Sequence, residues 1–351
     1  MTFDPSAAAL PGSGIYGLPS SPSTMERARV VLVPVPFDAT TSYRRGTADG
    51  PHAILEASRQ VDLFDLETGR PYAAGIVMLD LSRGFAAEVN SLCIEARALA
   101  EPVIDAGGDV SGRPELVEAL ERTNAISEQV DEMVFAECER LLSLGKIVGI
   151  VGGDHSAPFG AIRAHAMRFP GLGVLHFDAH ADLRIAYEGF TRSHASIMDN
   201  VMSKLPVARL VQVGLRDLCE DEHRAIEASQ GRIVPFYGHD LLRGEREGEP
   251  WSAVCGRIVE ALPPNVYVSF DIDGLDPTLC PHTGTPVPGG LSFDQATAVV
   301  EAVAKSGRTI VGFDLVEVAP GPEDDEWDAN VASRLLYKLI GWTLWSRNER
   351  A

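Results

Sequence analysis

Basic residues are scarce in this 351-residue chain: 30 Lys and Arg stand against 50 Asp and Glu, a formal net charge of −20. Such a surface repels a phosphate backbone and an anionic membrane, so neither nucleic acid nor membrane is expected as a partner. It modestly favours the approach of cationic small molecules, although acid also serves solubility alone. Cysteine is sparse as well. Cys93, Cys138, Cys219, Cys255 and Cys280 stand singly, with no close pair of the kind that zinc ribbons and redox motifs use, which fits a reduced compartment. No apolar run approaches the roughly 20 residues that cross a bilayer. The opening Met1-Thr2-Phe3-Asp4-Pro5-Ser6 lacks a basic stretch followed by an apolar one, so a cytoplasmic location is expected. Internal repeats and low-complexity tracts are lacking too.

What the chain does have is a recurrent apolar pattern. Short β-branched runs occur at 30–33, 76–79, 147–151, 173–177, 210–213, 232–236, 265–270 and 309–313. Runs of this length without polar alternation read as strands buried on both faces. Segments with helical spacing lie between them, over 51–64, 122–145, 157–169, 220–230, 251–262 and 292–306, with a last helix over 328–345. Strands alternating with helices predict a mostly parallel sheet covered on both sides. The least structured stretches, 1–27, 105–114 and the acidic loop 321–326, are too short to divide the chain. The expectation is an N-terminal extension over 1–27 and a single α/β domain over 28–351.

Polar residues gather where apolar strands end, which in parallel α/β sheets is the edge that binds ligands. Gly152-Gly153-Asp154-His155-Ser156 follows one run, Asp178-Ala179-His180-Ala181-Asp182 a second, and Asp271-Ile272-Asp273-Gly274-Leu275-Asp276-Pro277 a third. Alone, an Asp-x-Asp is commonly a turn or cap, and Gly-Gly-Asp-His commonly a tight turn. Residues two apart in a strand share a face, which groups Asp178, His180 and Asp182, and likewise Asp271 and Asp273. A fully extended strand would hold Asp178 and Asp182 about 13 Å apart, so the chain must curl as it leaves the sheet. Carboxylates this dense at the end of an apolar strand repel one another unless cations sit among them. Two divalent ions offset the charge of Asp178, Asp182, Asp271 and Asp273, and the imidazoles of His155 and His180 complete the set. Divalent metals activate water near neutral pH, so hydrolysis is the expected chemistry. Oxygen-rich ligation without thiolate favours Mn²⁺, with Ni²⁺, Co²⁺ or Zn²⁺ left open.

These segments closely resemble the ureohydrolase family, which comprises arginases, agmatinases and related guanidino-acid hydrolases. The likeness runs from about residue 30 to residue 344. It includes Pro36-Phe37-Asp38-Ala39-Thr40-Thr41-Ser42-Tyr43-Arg44-Arg45-Gly46-Thr47, Gly214-Leu215-Arg216, Gly284-Thr285-Pro286-Val287-Pro288-Gly289-Gly290-Leu291 and Phe313-Asp314-Leu315-Val316-Glu317-Val318. The resemblance implies a single-domain three-layer α/β/α fold with roughly eight strands. It implies two Mn²⁺ per subunit, one held by His155, Asp178, Asp182 and Asp271, the other by Asp178, His180, Asp271 and Asp273. It further implies cleavage of a guanidino group with release of urea. Asp182 is then the proton carrier toward the leaving nitrogen, Glu317 the partner of the guanidinium, and His194 a proton shuttle that also meets substrate. His176 would pack beneath the metals, and Asp154 and Asp276 would support or turn the loops. A homotrimer or homohexamer is implied as well.

The substrate is less sharply written. Leu183-Arg184-Ile185-Ala186-Tyr187-Glu188-Gly189-Phe190 stands where arginases carry side chains for an α-carboxylate, and Cys219 where they place an acid for the α-amino group. Agmatine is therefore expected first. Ser193-His194-Ala195-Ser196 and His282 depart from many agmatinases, and Arg184 could bind a carboxylate, which keeps guanidinobutyrate, other guanidino acids, arginine and guanidine as alternatives. A mononuclear zinc amide deacetylase and a non-catalytic metal-stabilised subunit are the rival classes.

Overall fold

The computed structural model describes residues 3–10, 12–323 and 325–349; Asp324 of the acidic loop and the outermost terminal residues lie outside them. Eight strands form one sheet: β1 (Val30–Val35), β2 (Ile76–Met78), β3 (Ile147–Gly152), β4 (Gly173–Phe177), β5 (Arg209–Leu215), β6 (Ile233–Tyr237), β7 (Asn265–Asp271) and β8 (Thr309–Val316). Each expected strand is present, and every pairing between neighbours is parallel. The spatial order is β2-β1-β3-β8-β7-β4-β5-β6.

Eleven α-helices cover it among the described residues: α1 (Pro22–Arg27), α2 (Gly50–Ala57), α3 (Phe85–Asp105), α4 (Pro114–Ser143), α5 (Phe159–Arg168), α6 (Ile197–Lys204), α7 (Glu220–Ala228), α8 (Gly238–Arg246), α9 (Trp251–Ala261), α10 (Phe293–Lys305) and α11 (Trp327–Ser346). Alternate residues of each strand serve opposite faces. Val30, Leu32, Leu175 and Phe177 pack with Ile54 of α2, Ile258 of α9, Val299 of α10 and Leu336 of α11. Val31, Val33, Val148 and Ile150 pack against Val89 of α3, Val134 of α4 and Ala161 of α5. The result is the expected three-layer α/β/α domain, with both sheet faces dry.

The differences lie in the helices and the N-terminal segment, and the largest is α3, which is not among the expected helices. The helix expected over 51–64 ends earlier: α2 runs into a 3₁₀ turn over Ser58–Gln60, after which Val61 turns extended. The glycines in 105–114 lie in the turn between α3 and α4, a helical hairpin. Within the segment expected as an extension, Ile15, Tyr16 and Leu18 are buried in the core, and the Tyr16 hydroxyl donates to Ser333 O at 3.0 Å. No described helix is long and apolar enough to cross a membrane.

The order of strands places the chemistry. From β1 the chain goes outward to β2, whereas β4, β5 and β6 step outward in the opposite direction. The crevice of such a sheet opens at the carboxyl ends of the strands between the two halves. There β3, β8, β7 and β4 lie side by side.

Candidate metal centre

Close backbone packing fixes the first loop. Gly153 N donates to Val35 O at 2.8 Å, and a Cβ on Gly153 would stand 1.9 Å from Phe37 O, so no larger residue fits. Asp154 Oδ1 accepts from Ser156 N at 2.9 Å, which turns the chain and leaves His155 facing the crevice. The second loop curls as the spacing requires, because Asp182 adopts a left-handed φ of 54° just past β4. Such a conformation costs on the order of 1 kcal/mol for a non-glycine residue and marks a constrained site. The third loop does not continue as a strand: β7 stops at Asp271, whose Oδ1 accepts from Asp273 N at 2.8 Å across a 3₁₀ turn. The shared strand face expected for Asp271 and Asp273 is thus replaced by a turn that aims the two carboxylates at different imidazoles.

Six ligand candidates meet in this crevice. His155 Nδ1 lies 3.0, 3.2 and 3.2 Å from Asp178 Oδ2, Asp182 Oδ2 and Asp271 Oδ2. His180 Nδ1 lies 3.3 Å from Asp178 Oδ1 and 3.1 Å from Asp273 Oδ2. Asp178 therefore gives one oxygen to each group, as a carboxylate does when it spans two ions. Two sets of donor atoms compatible with metal arise, one containing His155, Asp178 and Asp182, the other Asp178, His180 and Asp273.

Electrostatics show how poorly the cluster tolerates its own charge. Burial, reinforced by Asp273 and Asp178, holds the Asp271 carboxyl well above the usual range. Burial and Asp178 push Asp182 up to about 7. Burial also opposes charge on Asp178, but His176, His155 and His180 together outweigh it and hold that carboxyl well below normal. For His155, burial favours the neutral ring, yet the three carboxylates at Nδ1 raise it well above the usual value. In metal-free protein the imidazoles act as the cations; two divalent ions would take over that part and suit the oxygen-rich donor set.

Beneath the ligands lies a layer of buried polar residues that the sequence reading mostly passed over. His155 Nε2 lies 2.9 Å from Ser269 Oγ, which in turn donates to Asp314 Oδ1 at 3.1 Å. This chain leaves Nδ1 as the ring's open donor atom. His176 Nε2 lies 2.9 Å from Asp178 Oδ2, while the Gln212 amide donates to His176 Nδ1 at 3.0 Å and to Ala181 O at 2.8 Å. With Nδ1 accepting, His176 Nε2 carries the proton, so this residue steadies Asp178 from below. A polar residue interrupting an apolar strand two places before a ligand, as Ser269 precedes Asp271 and His176 precedes Asp178, is the signal that marks the layer.

A cavity of about 200 Å³ opens beside the cluster, its wall including His180, Asp182, Arg184, His194 and Thr285. His194 begins a short 3₁₀ turn, and burial, with His180 and His155 adding, pushes its ring down to about 4. Arg184 reaches the cavity but is engaged there, stacked 5.0 Å over Tyr187 and 3.9 Å from Glu222. Glu317 is not among the lining residues. It is 4% exposed with a left-handed φ of 61°, and its Oε1 accepts from His155 N at 2.9 Å. Around Glu317, Thr283 Oγ1 donates to its carbonyl at 2.7 Å, and a Cβ on Gly284 would stand 3.1 Å from its Oε2. His282 lies away from the ligands, its Nδ1 2.8 Å from Asp328 Oδ2 at the start of α11. Cys219 caps α7, and Asp276 accepts from Thr278 N at 2.9 Å in a turn. A larger hollow of about 700 Å³ lies along β2 under the N-terminal segment, walled by Ile15, Met25, His52 and Arg59. It holds none of the candidate ligands.

Comparison with known proteins agrees with this geometry. An N(1)-aminopropylagmatine ureohydrolase of Thermus thermophilus is 34% identical over 330 residues, covering 93% of this chain and 94% of the relative. An agmatinase of Bacillus subtilis is 30% identical over 318 residues, covering 90% and 92%. The crystal structure of an agmatine ureohydrolase of Thermoplasma volcanium superposes with a TM-score of 0.70 over 93% of each chain, and at 24% identity it speaks to the fold. Residues 28–341 match the Arginase family, and the chain belongs to that family of hydrolases.

Proposed function

We propose that the protein is a ureohydrolase that uses two divalent metal ions to cleave a guanidino group, most readily that of agmatine or its N(1)-aminopropyl derivative. The observation that carries this is Asp178, with one oxygen beside the His155 group and the other beside the His180 group. His155, Asp178, Asp182, Asp271, Asp273 and His180 would then hold the metals, Asp178 with one oxygen toward each group. When bound, the ions supply Lewis acidity and an activated water for attack on the guanidinium carbon. The donor set of four carboxylates and two imidazoles favours Mn²⁺, with Ni²⁺ or Co²⁺ as substitutes.

The chain's own residues supply the rest. Glu317 accepts from the guanidinium N–H groups with the oxygen left free by His155 N, and so orients the planar carbon. Asp182 carries a proton to the departing nitrogen. His194, which lines the cavity, takes a proton at a ring nitrogen and exchanges it with solvent. The names of the two relatives support the substrate. Guanidinobutyrate is the weaker reading, because the guanidinium it would need on Arg184 is already engaged by Tyr187 and Glu222. Two ligand groups argue against a mononuclear zinc deacetylase. A cytoplasmic homotrimer or homohexamer completes the proposal, with the catalytic domain over 28–351 and Ile15, Tyr16 and Leu18 of the preceding segment packed into its core. The test is urea release from agmatine, N(1)-aminopropylagmatine, guanidinobutyrate, arginine and guanidine after loading with Mn²⁺, Ni²⁺ or Co²⁺. Release from the first two is expected; release from none contradicts the reading.

A further inference from the structure

The loop that brings His194 to the cavity wall is shaped by helices rather than by the sheet. It leaves β4 after Asp182 and returns at α6, and its ends are joined where Arg184 N donates to Ala195 O at 3.1 Å. Between those ends the α3–α4 hairpin holds it. Phe190 is buried against Ala100 and Val103 of α3 and Leu116 and Ala119 of α4. Further along α4, Asn124 Oδ1 accepts from Thr191 N at 2.9 Å, and its amide donates to Gly189 O at 3.2 Å.

Arg192 completes the attachment. Its Nε lies 3.3 Å from Asp131 Oδ2 of α4, its guanidinium 4.7 Å from the centre of the Phe159 ring of α5, and its Nη1 donates to Asn200 Oδ1 of α6 at 2.9 Å. Asn200 closes the circle, its amide donating to Thr191 O at 2.9 Å and Ser196 O at 2.8 Å, carbonyls on either side of His194. A planar guanidinium met by a carboxylate, a ring face and an amide oxygen has one arrangement that satisfies all of them. The imidazole of His194, by contrast, is loosely held, with Nδ1 3.5 Å from Ser193 Oγ and the ring 6.4 Å from that of Tyr187. The main chain therefore decides where the ring stands.

Resting on the proton transfer assigned to His194, we infer that Arg192 is a positioning residue for that step: its clasp on Asp131, Phe159 and Asn200 fixes the main chain that sets the imidazole at the cavity wall. Arg192 itself is not part of that wall, so its effect passes through the backbone of Ser193 and His194. Proton transfer falls off steeply when donor and acceptor move apart, whereas binding of a flexible substrate and of metal on other loops does not depend on this ring. Loss of the clasp should therefore appear in turnover.

The experiment measures kcat, KM and bound metal for urea release from agmatine, using Mn²⁺-loaded full-length protein in a double-mutant cycle. Arg192→Met is expected to lower kcat by roughly 10-fold with KM and metal content nearly unchanged. Arg192→Lys, which keeps the charge facing Asp131, recovers part of the loss. In a His194→Ala background, Arg192→Met is expected to cost less than about 2-fold, because the step it serves is already gone. Asp131→Asn, which removes only the carboxylate charge, repeats the pattern with a smaller fall and decides the matter should Arg192→Met not fold. An undiminished kcat, an equal fall in both backgrounds, or a fall that follows lost metal overturns the assignment. Full activity in His194→Ala overturns the proton transfer on which it rests, and wild-type protein that releases no urea overturns the hydrolase itself.

Discussion

Glu317 Oε1 accepts a hydrogen bond from the main-chain nitrogen of His155 at 2.9 Å, so the carboxylate at the end of β8 and the imidazole after β3 are locked into one unit. Glu317 makes that contact with a left-handed φ of 61°, and a Cβ on Gly284 would stand 3.1 Å from its Oε2. Glu317→Gln keeps the size of the side chain and removes the charge that faces a guanidinium. It is expected to lower kcat/KM by roughly 100-fold while the protein still binds its full complement of metal. Steady-state kinetics beside a metal assay check both halves.

Chelation reverses the electrostatics of the cluster. Burial and neighbouring carboxylates raise Asp271 well above the usual range and Asp182 to about 7. A carboxyl whose folded pKa lies above its unfolded value of about 4 holds its proton more tightly when folded, so its stabilising contribution is complete at low pH and lost as pH rises through about 7. His155 and His180, both raised, act in the same direction. The Tm of metal-free protein should therefore fall between about pH 5 and pH 8. Metal-loaded protein should lose that decline, since the ions bind the deprotonated ligands. Thermal melts with and without chelator across this range decide it.

Ser269 holds the His155 ring from below, with Asp314 behind it. Ser269→Ala removes the acceptor that fixes the ring's orientation without opening a large space. Metal affinity is expected to drop by about 10-fold, read by titration of the chelated protein, with little change in Tm of the metal-free form.

Gly153 tolerates no Cβ, since one would meet Phe37 O at 1.9 Å. Gly153→Ala must displace the loop that carries His155. A loss of at least about 2 kcal/mol in denaturant unfolding is expected, together with lower metal occupancy.

Much of this was legible in the sequence because fully buried parallel strands write themselves as unbroken apolar runs, and because the ligands sit directly where those runs stop. The helix over Phe85–Asp105 has no counterpart among the sequence expectations. Its buried stripe of Ala86, Val89, Cys93, Ala96 and Ala100 is built from small residues, which carry little apolar contrast. The curl at Asp182 is a backbone conformation, and a period-two pattern cannot announce it. Likewise the engagement of Arg184 by Tyr187 and Glu222 joins residues from two loops, and only their placement in space separates a free cation from an occupied one.

The most direct test of the account is the number of divalent ions held per chain by wild-type protein and by Asp178→Ala after loading with Mn²⁺ and removal of excess metal. Because Asp178 faces both ligand groups, two ions per wild-type chain are predicted, with both weakened together in the variant. A wild-type chain that holds a single ion, or a variant that loses one and keeps the other at full affinity, would contradict it.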